Sequence, residues 1–185
     1  MSNDPNKTER VSIYIDGSNF YHSIKDTLSI NHDHIDFSKL IHILRNNRLL
    51  INTFYYNASL DRSYNEDIYW KQQKFFSELR NIPAFRIILC NMRKIRKPNG
   101  KFEYAVKGDD IHLATDMLSC AYENLYDTAI LINGDGDFRP VIRKIQKLGK
   151  HVENGYFSIS RSSLLKQICN KSILLDNIVK DCIKK

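Results

Sequence analysis

Carboxylates recur in three short segments of this chain: Asp16 in IDGSN, Asp109 and Asp110 in KGDDI, and Asp135 and Asp137 in NGDGD. The first follows the apolar run VSIYI and the last two follow TAILI, so both sites lie where a buried strand gives way to a turn. Like charges gathered at one edge repel, and such a cluster costs stability unless cations neutralise it. Hard oxygen ligands in an incomplete shell suit Mg2+ or Mn2+. Each aspartate taken singly is an ordinary turn or cap residue. As a set they ask for more, and Gly136 between Asp135 and Asp137 lets the backbone turn sharply and keeps both carboxylates near the strand end.

The elements that would position these groups alternate between strand and helix. Residues 11–16 read as a buried strand, followed by a helix through His22 and Ile24 that Ser18 or Asn19 caps. Asp36 to Asn46 is a helix capped by Asp36, with Phe37, Leu40, Ile41 and Leu44 three and four apart. Leu50 to Asn57 is the next strand, Tyr64 to Arg80 a long amphipathic helix stopped by Pro83, and Arg86 to Asn91 a further strand. Pro98-Asn99-Gly100 then makes the turn of a hairpin whose return strand is Lys101 to Val106. A helix over 109–124, a strand over 128–133, a helix from Phe138 to Leu148 ended by Gly149, and a short strand at Val152 follow. The segment after Ser160 reads as mostly helical. Strands alternating with helices of ten or more residues give a three-layer α/β/α class with a mainly parallel central sheet, and ligands bind such sheets outside the carboxyl ends of the strands.

Length and composition fit one domain. The 185 residues carry 42% hydrophobic and 26% charged residues, with only 7 Gly and 4 Pro, which excludes long low-complexity tracts. Residues 1–10 read as a polar disordered tail and 11–185 as the domain. The formal charge of +7 favours an anionic partner. Cys90, Cys120, Cys169 and Cys182 contain no CxxC pair, so a zinc knuckle or a dense disulfide framework is not expected. With no apolar N-terminal core and no run of about 18–20 apolar residues, the expectation is a cytoplasmic protein without membrane contact.

As a set the motifs resemble the NYN domains, also called LabA-like, of the PIN-like nuclease fold. IDGSNFY at 15–21 resembles that family's opening strand and loop, KGDDIHLATDML at 107–118 its Lys-Gly-x-Asp helix, and INGDGDFRPVIRKIQKLGKHVE at 132–153 its Ser-Gly-Asp-x-Asp-Phe segment. The resemblance implies a metal-dependent ribonuclease using Mg2+ or Mn2+, with Asp16, Asp110, Asp135 and Asp137 on the acidic positions and Asn19 beside them. Asp116 also matches. Six residues after Asp110 it is turned by about 120° and lies nearly two helical turns on, so orienting a neighbour is its alternative role. Asp109 stands where the family usually has an apolar residue and reads as an extra or a solvent-facing carboxylate. Asn133 stands in place of the usual Ser, and Cys169-Asn170 in place of Ala-Asp.

Phosphodiester hydrolysis by such a site needs an activated water, a neutralised phosphate and a stabilised leaving oxygen, which one or two divalent ions supply. No histidine is needed as base, and His32-Asp33-His34 reads as a solvated loop. Lys107, beside the acidic residues, is a candidate contact to the scissile phosphate. Arg93, Lys94, Arg96, Lys97 and Lys101 in the hairpin, and Arg139, Arg143, Lys144 and Lys147 on the helix after the acidic loop, are candidate phosphate tracks for RNA. Tyr55, Tyr56, Tyr64 and Trp70 are aromatics of stacking type, although such spacing belongs more often to a core. A haloacid-dehalogenase-type phosphatase would need Asp-x-Asp after the first strand, and Ser18 stands at the second position. A non-catalytic RNA-binding or signalling module of the same fold, a possible homodimer, is the other alternative.

Overall fold

The computed structural model describes residues 8–63, 65–96, 100 and 102–184, and of residues 91, 93–96 and 102–107 the backbone alone. In chain order the elements are β1 (Arg10–Asp16), α1 (Gly17–Leu28), α2 (Phe37–Arg45), β2 (Leu49–Ala58), α3 (Glu66–Arg80), β3 (Phe85–Arg96), β4 (Phe102–Lys107), α4 (Asp109–Tyr122), β5 (Thr128–Ile132), α5 (Arg139–Lys147), β6 (His151–Tyr156), α6 (Ser163–Ile168), β7 (Lys171–Leu174) and α7 (Asp176–Asp181). The sheet has the order β4-β3-β2-β1-β5-β6-β7. All neighbours pair in parallel except β3 and β4, the antiparallel hairpin at one edge.

Alternation along the strands divides the core into two layers. Ile13, Ile15 and Tyr55 point to the face covered by α1, α2, α3 and α7, where they meet Phe20, Leu40, Phe76 and Val179. Tyr14, Tyr56, Ala129 and Leu131 point to the other face and meet Leu113 and Met117 of α4, Ile142 and Ile145 of α5 and Leu165 of α6. This is the expected three-layer arrangement. β1 is buried along nearly its whole length because it lies at the centre of the sheet.

Several boundaries differ from the sequence reading. The ordered part begins before residue 11: the carbonyl of Glu9 accepts from Leu49 N, and Arg10 opens β1 with a side-chain ion pair to Asp127 at 2.7 Å. The segment after Ser160 holds a strand, β7, between two short helices; its four residues pair with β6 and form the sheet edge, so they carry no alternation strong enough to mark them. The 32–34 segment is a single turn of 3-10 helix, and His32 is not solvated: its ring stacks on Phe75 at 4.3 Å, and burial pulls its pKa down to about 4. Tyr55 and Tyr56 are core residues, and Tyr64 lies outside the described residues.

Candidate active site

β1 ends on Asp16, which is only 8% exposed. It caps α1 itself, displacing Ser18 and Asn19 from that expected role: Oδ1 accepts from the backbone N–H groups of Ser18 and Asn19, both at 2.9 Å. Gly17 makes this abrupt entry sterically feasible, since a Cβ there would lie 2.6 Å from the Tyr55 ring and from the Tyr56 carbonyl. Asn19 is half-buried in the first turn of α1.

The second oxygen of Asp16 accepts from Asn133 Nδ2 at 2.9 Å, and Asn133 Oδ1 accepts from the backbone N–H of Asp135 at 2.8 Å. Only the amide nitrogen can donate to a carboxylate and only the oxygen can accept an N–H, so these two neighbours fix the orientation of the Asn133 amide. Asn133 is 1% exposed, and its carbonyl accepts from Asn154 Nδ2 at 2.8 Å. One side chain therefore ties the end of β1 to the turn after β5. That turn continues with Asp135 Oδ1 accepting from Asp137 N at 2.9 Å, which leaves both carboxylates exposed. The glycines act here through close approach. A Cβ on Gly134 would strike the Ser160 carbonyl at 2.0 Å, and one on Gly136 would meet Leu164 at 3.0 Å; neither residue adopts the left-handed backbone that a sharp glycine turn would need.

α4 brings the third group of carboxylates. Its N-terminus lies at the carboxyl edge because β4 ends opposite Asn91, beyond the level of Ile88, which aligns through Tyr56 with Asp16. Burial pushes the Asp16 carboxyl up to about 6; its two backbone donors oppose this, while the charges of Asp110 and Asp109 add to it. Asp110 is raised by loss of water, then by Asp109, Asp135 and Asp137. Asp109 is thus half-buried and part of the field, not the solvent-facing extra that its position suggested. Burial raises the Cys90 thiol on β3, and Asp109, Asp116, Asp110 and Asp16 raise it further. Asp116 accepts from the Tyr56 hydroxyl at 2.9 Å and so is engaged with the sheet.

The donor set fits a hard divalent cation in chemistry and in openness. Among the described residues no group of three or more His, Cys, Asp or Glu side chains is placed to hold a metal ion as they stand. Mg2+ characteristically takes one or two carboxylates and keeps several waters and phosphate oxygens, so an open arrangement is compatible with it. Three of the four lone pairs of Asp16 are already used by N–H donors, leaving one, on Oδ2, for a cation. Asp110, Asp135 and Asp137 would supply the rest. The side chains of Lys107, Arg93 and Arg96, and Lys97 altogether, lie outside the described residues. Arg139, Arg143, Lys144 and Lys147 are exposed on α5. Sequence reading missed the roles of Asn133, Asp109 and Cys90; an amide standing where the motif has Ser was the available signal for the first.

The family model described as "NYN domain" matches residues 10–176. Among solved structures, a protein of unknown function, VPA0982, from Vibrio parahaemolyticus RIMD 2210633 superposes with a TM-score of 0.72 at 22% identity, covering 96% of this chain and 98% of that one, which shows a shared fold. MurG from Acinetobacter baumannii gives a TM-score of 0.39 at 11% identity over 89% of this chain and 40% of its own. No curated protein matches.

Proposed function

The chain belongs to the NYN domain family, within the PIN-like nuclease superfamily, and from that premise we propose that it is a metal-dependent ribonuclease cutting RNA phosphodiester bonds at the carboxyl edge of its sheet. The observation that carries this reading is the Asn133 side chain, which bonds both Asp16 and the backbone of Asp135 and so brings the carboxylates after β1 and β5 to one edge, where Asp110 and Asp109 raise the Asp16 carboxyl further.

A bound Mg2+ or Mn2+ would polarise the phosphate and lower the pKa of an attacking water. The chain's own residues do the rest. Asp16 would be the fixed ligand, held by three N–H donors, while Asp110, Asp135 and Asp137 are exposed at the edge. The N-termini of α1 and α4 face this edge, and their partial positive charge offsets part of the repulsion while directing the phosphate inward. Lys107 and the hairpin residues Arg93, Arg96 and Lys97 would hold the RNA backbone; the register that lifts β3 and β4 past the level of Asp16 supports this. Charge reversal at Arg96 and Lys97 should weaken RNA binding and flatten its salt dependence.

The deciding experiment is Asp135→Asn. It keeps the side-chain volume and the oxygen that accepts from Asp137 N but removes a charge. Cleavage of labelled RNA should fall by at least about 100-fold, while the melting temperature in EDTA stays equal or rises as repulsion is relieved. Full activity would return Asp135 to a capping role. A second reading, a binding module without turnover, is favoured by the lack, among the described residues, of three such side chains placed to hold a metal ion. RNA bound equally well in EDTA and never shortened with any divalent ion would establish it.

A further inference from the structure

A groove of ≈ 620 Å³ runs between the C-terminal halves of α4 and α5, far from the acidic edge. One wall carries Leu118 and Tyr122, the other Lys144, Lys147 and Leu148, with Glu123 at the mouth. Tyr122 is 81% exposed, although it ends a helix whose opposite face is packed into the core by Leu113, Met117 and Ala121. Helical spacing explains the exposure: Ile111, Thr115, Leu118 and Tyr122 recur at four, three and four residues, a line turned away from the buried one, and both Ile111 and Tyr122 stand in water. Leu118 still packs partly against the core, whereas Ile111 and Tyr122 contribute little to it.

The facing lysines carry the argument about what fits there. Neither Lys144 nor Lys147 forms an ion pair or side-chain hydrogen bond among the described residues, and Arg143 beside them is exposed and likewise unpaired. An apolar partner would bury unpaired ammonium groups at a penalty. A ligand with flat rings and a regularly charged backbone would meet both walls at once: the phenol ring of Tyr122 offers a stacking face and the lysines offer phosphate partners, the combination by which single strands are held without sequence readout. We infer that the α4–α5 groove is an accessory site for single-stranded nucleic acid, in which a base stacks on Tyr122 while Lys144 and Lys147 hold the adjoining phosphates.

The site rests on the nuclease reading for its purpose but not for its chemistry. α4 rises about 18 Å from Asp110 to Tyr122. At about 3.4 Å per stacked nucleotide, a strand lying along the helix would need about five nucleotides to touch both places. The groove would then favour longer substrates and leave the shortest ones untouched.

Fluorescence anisotropy in EDTA, with labelled oligo-uridylates of about three and about twelve nucleotides, tests the inference without calling on cleavage. Tyr122→Ala should weaken binding of the longer strand about tenfold, and Tyr122→Phe, which keeps the ring, should restore it. Lys144→Gln with Lys147→Gln should lower the salt slope of log Kd by about 1.4. Lys71→Gln with Lys74→Gln, which removes equal charge from exposed positions of α3 in the opposite layer, should leave it close to wild type. The shorter strand, which can occupy the groove or the acidic edge but not both, should lose less affinity in Tyr122→Ala than the longer one. Equal affinities for the longer strand across Tyr122→Ala and the double lysine variant overturn the groove as a site, even if the wild type cleaves RNA. Weakened binding without cleavage by the wild type supports the groove and discards the nuclease reading. A change in sedimentation coefficient on Tyr122→Ala in place of a change in affinity assigns the groove to a second copy of the chain, and overturns the inference as well.

Discussion

Asp16 and Asp127 sit on neighbouring central strands, one at the carboxyl end of β1 and the other just before β5, yet their carboxyls are driven in opposite directions. Hydrogen bonds from Arg10 hold Asp127 down at about 2, with Lys150 adding to the attraction. Burial and neighbouring carboxylates hold Asp16 up at about 6. At the amino side of the sheet every described carboxylate near the strand starts has a cation: Asp127 has Arg10, and Glu153 and Glu9 share Arg48 at 3.0 and 3.5 Å. The carboxyl side gathers the same residue type, and among the described side chains no ion pair offsets it. The difference separates carboxylates held by ion pairs from carboxylates that, among the described side chains, meet mainly one another.

The largest break in that comparison should come from Asn133→Leu. It leaves one Asp16 oxygen and the Asp135 N–H without a partner inside the protein, and each orphaned buried group costs about 1–3 kcal/mol. The denaturant midpoint should fall accordingly and cleavage should disappear. Asn133→Ser, whose hydroxyl replaces one of the two bonds, should lose less of both. If the two variants behave alike, the bridge between the strand ends is not what organises the site.

Arg10→Leu probes the completed side. Removing the guanidinium should destabilise the fold by about 1 kcal/mol at neutral pH, and the deficit should shrink as pH falls from about 4 through about 2, where Asp127 takes up its proton in the wild type. A deficit that does not shrink at all over this range would trace to the Arg10 bonds to Asn124 and the packing of its stem, not to the ion pair.

The smallest effect is a sign difference in acid. A carboxyl held below its ordinary value gives stability that is present above that value and is lost as pH falls through the folded one, so Asp127 should weaken the fold between about pH 4 and 2. A carboxyl held above its ordinary value does the reverse. Asp16 keeps its proton longer in the folded state, so stability should decline as pH rises from about 4 to 6. Thermal melts in EDTA across both windows read the two slopes. Adding millimolar Mg2+ above pH 6 should reverse the second and leave the first unchanged, and no response to Mg2+ would count against the aspartates as its ligands.

Much of this was legible in the chain itself. VSIYI and TAILI are unbroken apolar runs because β1 and β5 are covered on both faces, and Asp36 caps α2 through Lys39 N as its position before an apolar pattern suggests. What escaped reading depends on contacts between segments distant in sequence. Histidine 32 looks like part of a polar loop until Phe75 and Tyr21 are folded around it. Gly136 looks like a hinge until Leu164 is laid against it. Asp109 looks solvent-facing until the helix is docked beside β1, and β7 has too few residues and too little alternation to be distinguished from its flanking helices. Among the described residues no helix is long and apolar enough to cross a membrane.

The link between Asp16 and Asn133 spans 117 residues of chain. Closing so long a loop is entropically unfavourable and is repaid only once β5 has docked beside β1, a pairing that joins Val11 to Thr128. No shorter piece of the polypeptide brings these groups together. During synthesis the growing chain would therefore emerge with its acidic residues scattered, and the acidic edge would come together only once β5 has been made and docked rather than by degrees as the chain lengthens. The topology thus ties the assembly of the acidic edge to the docking of β5 beside β1: a copy in which that pairing fails lacks the edge altogether.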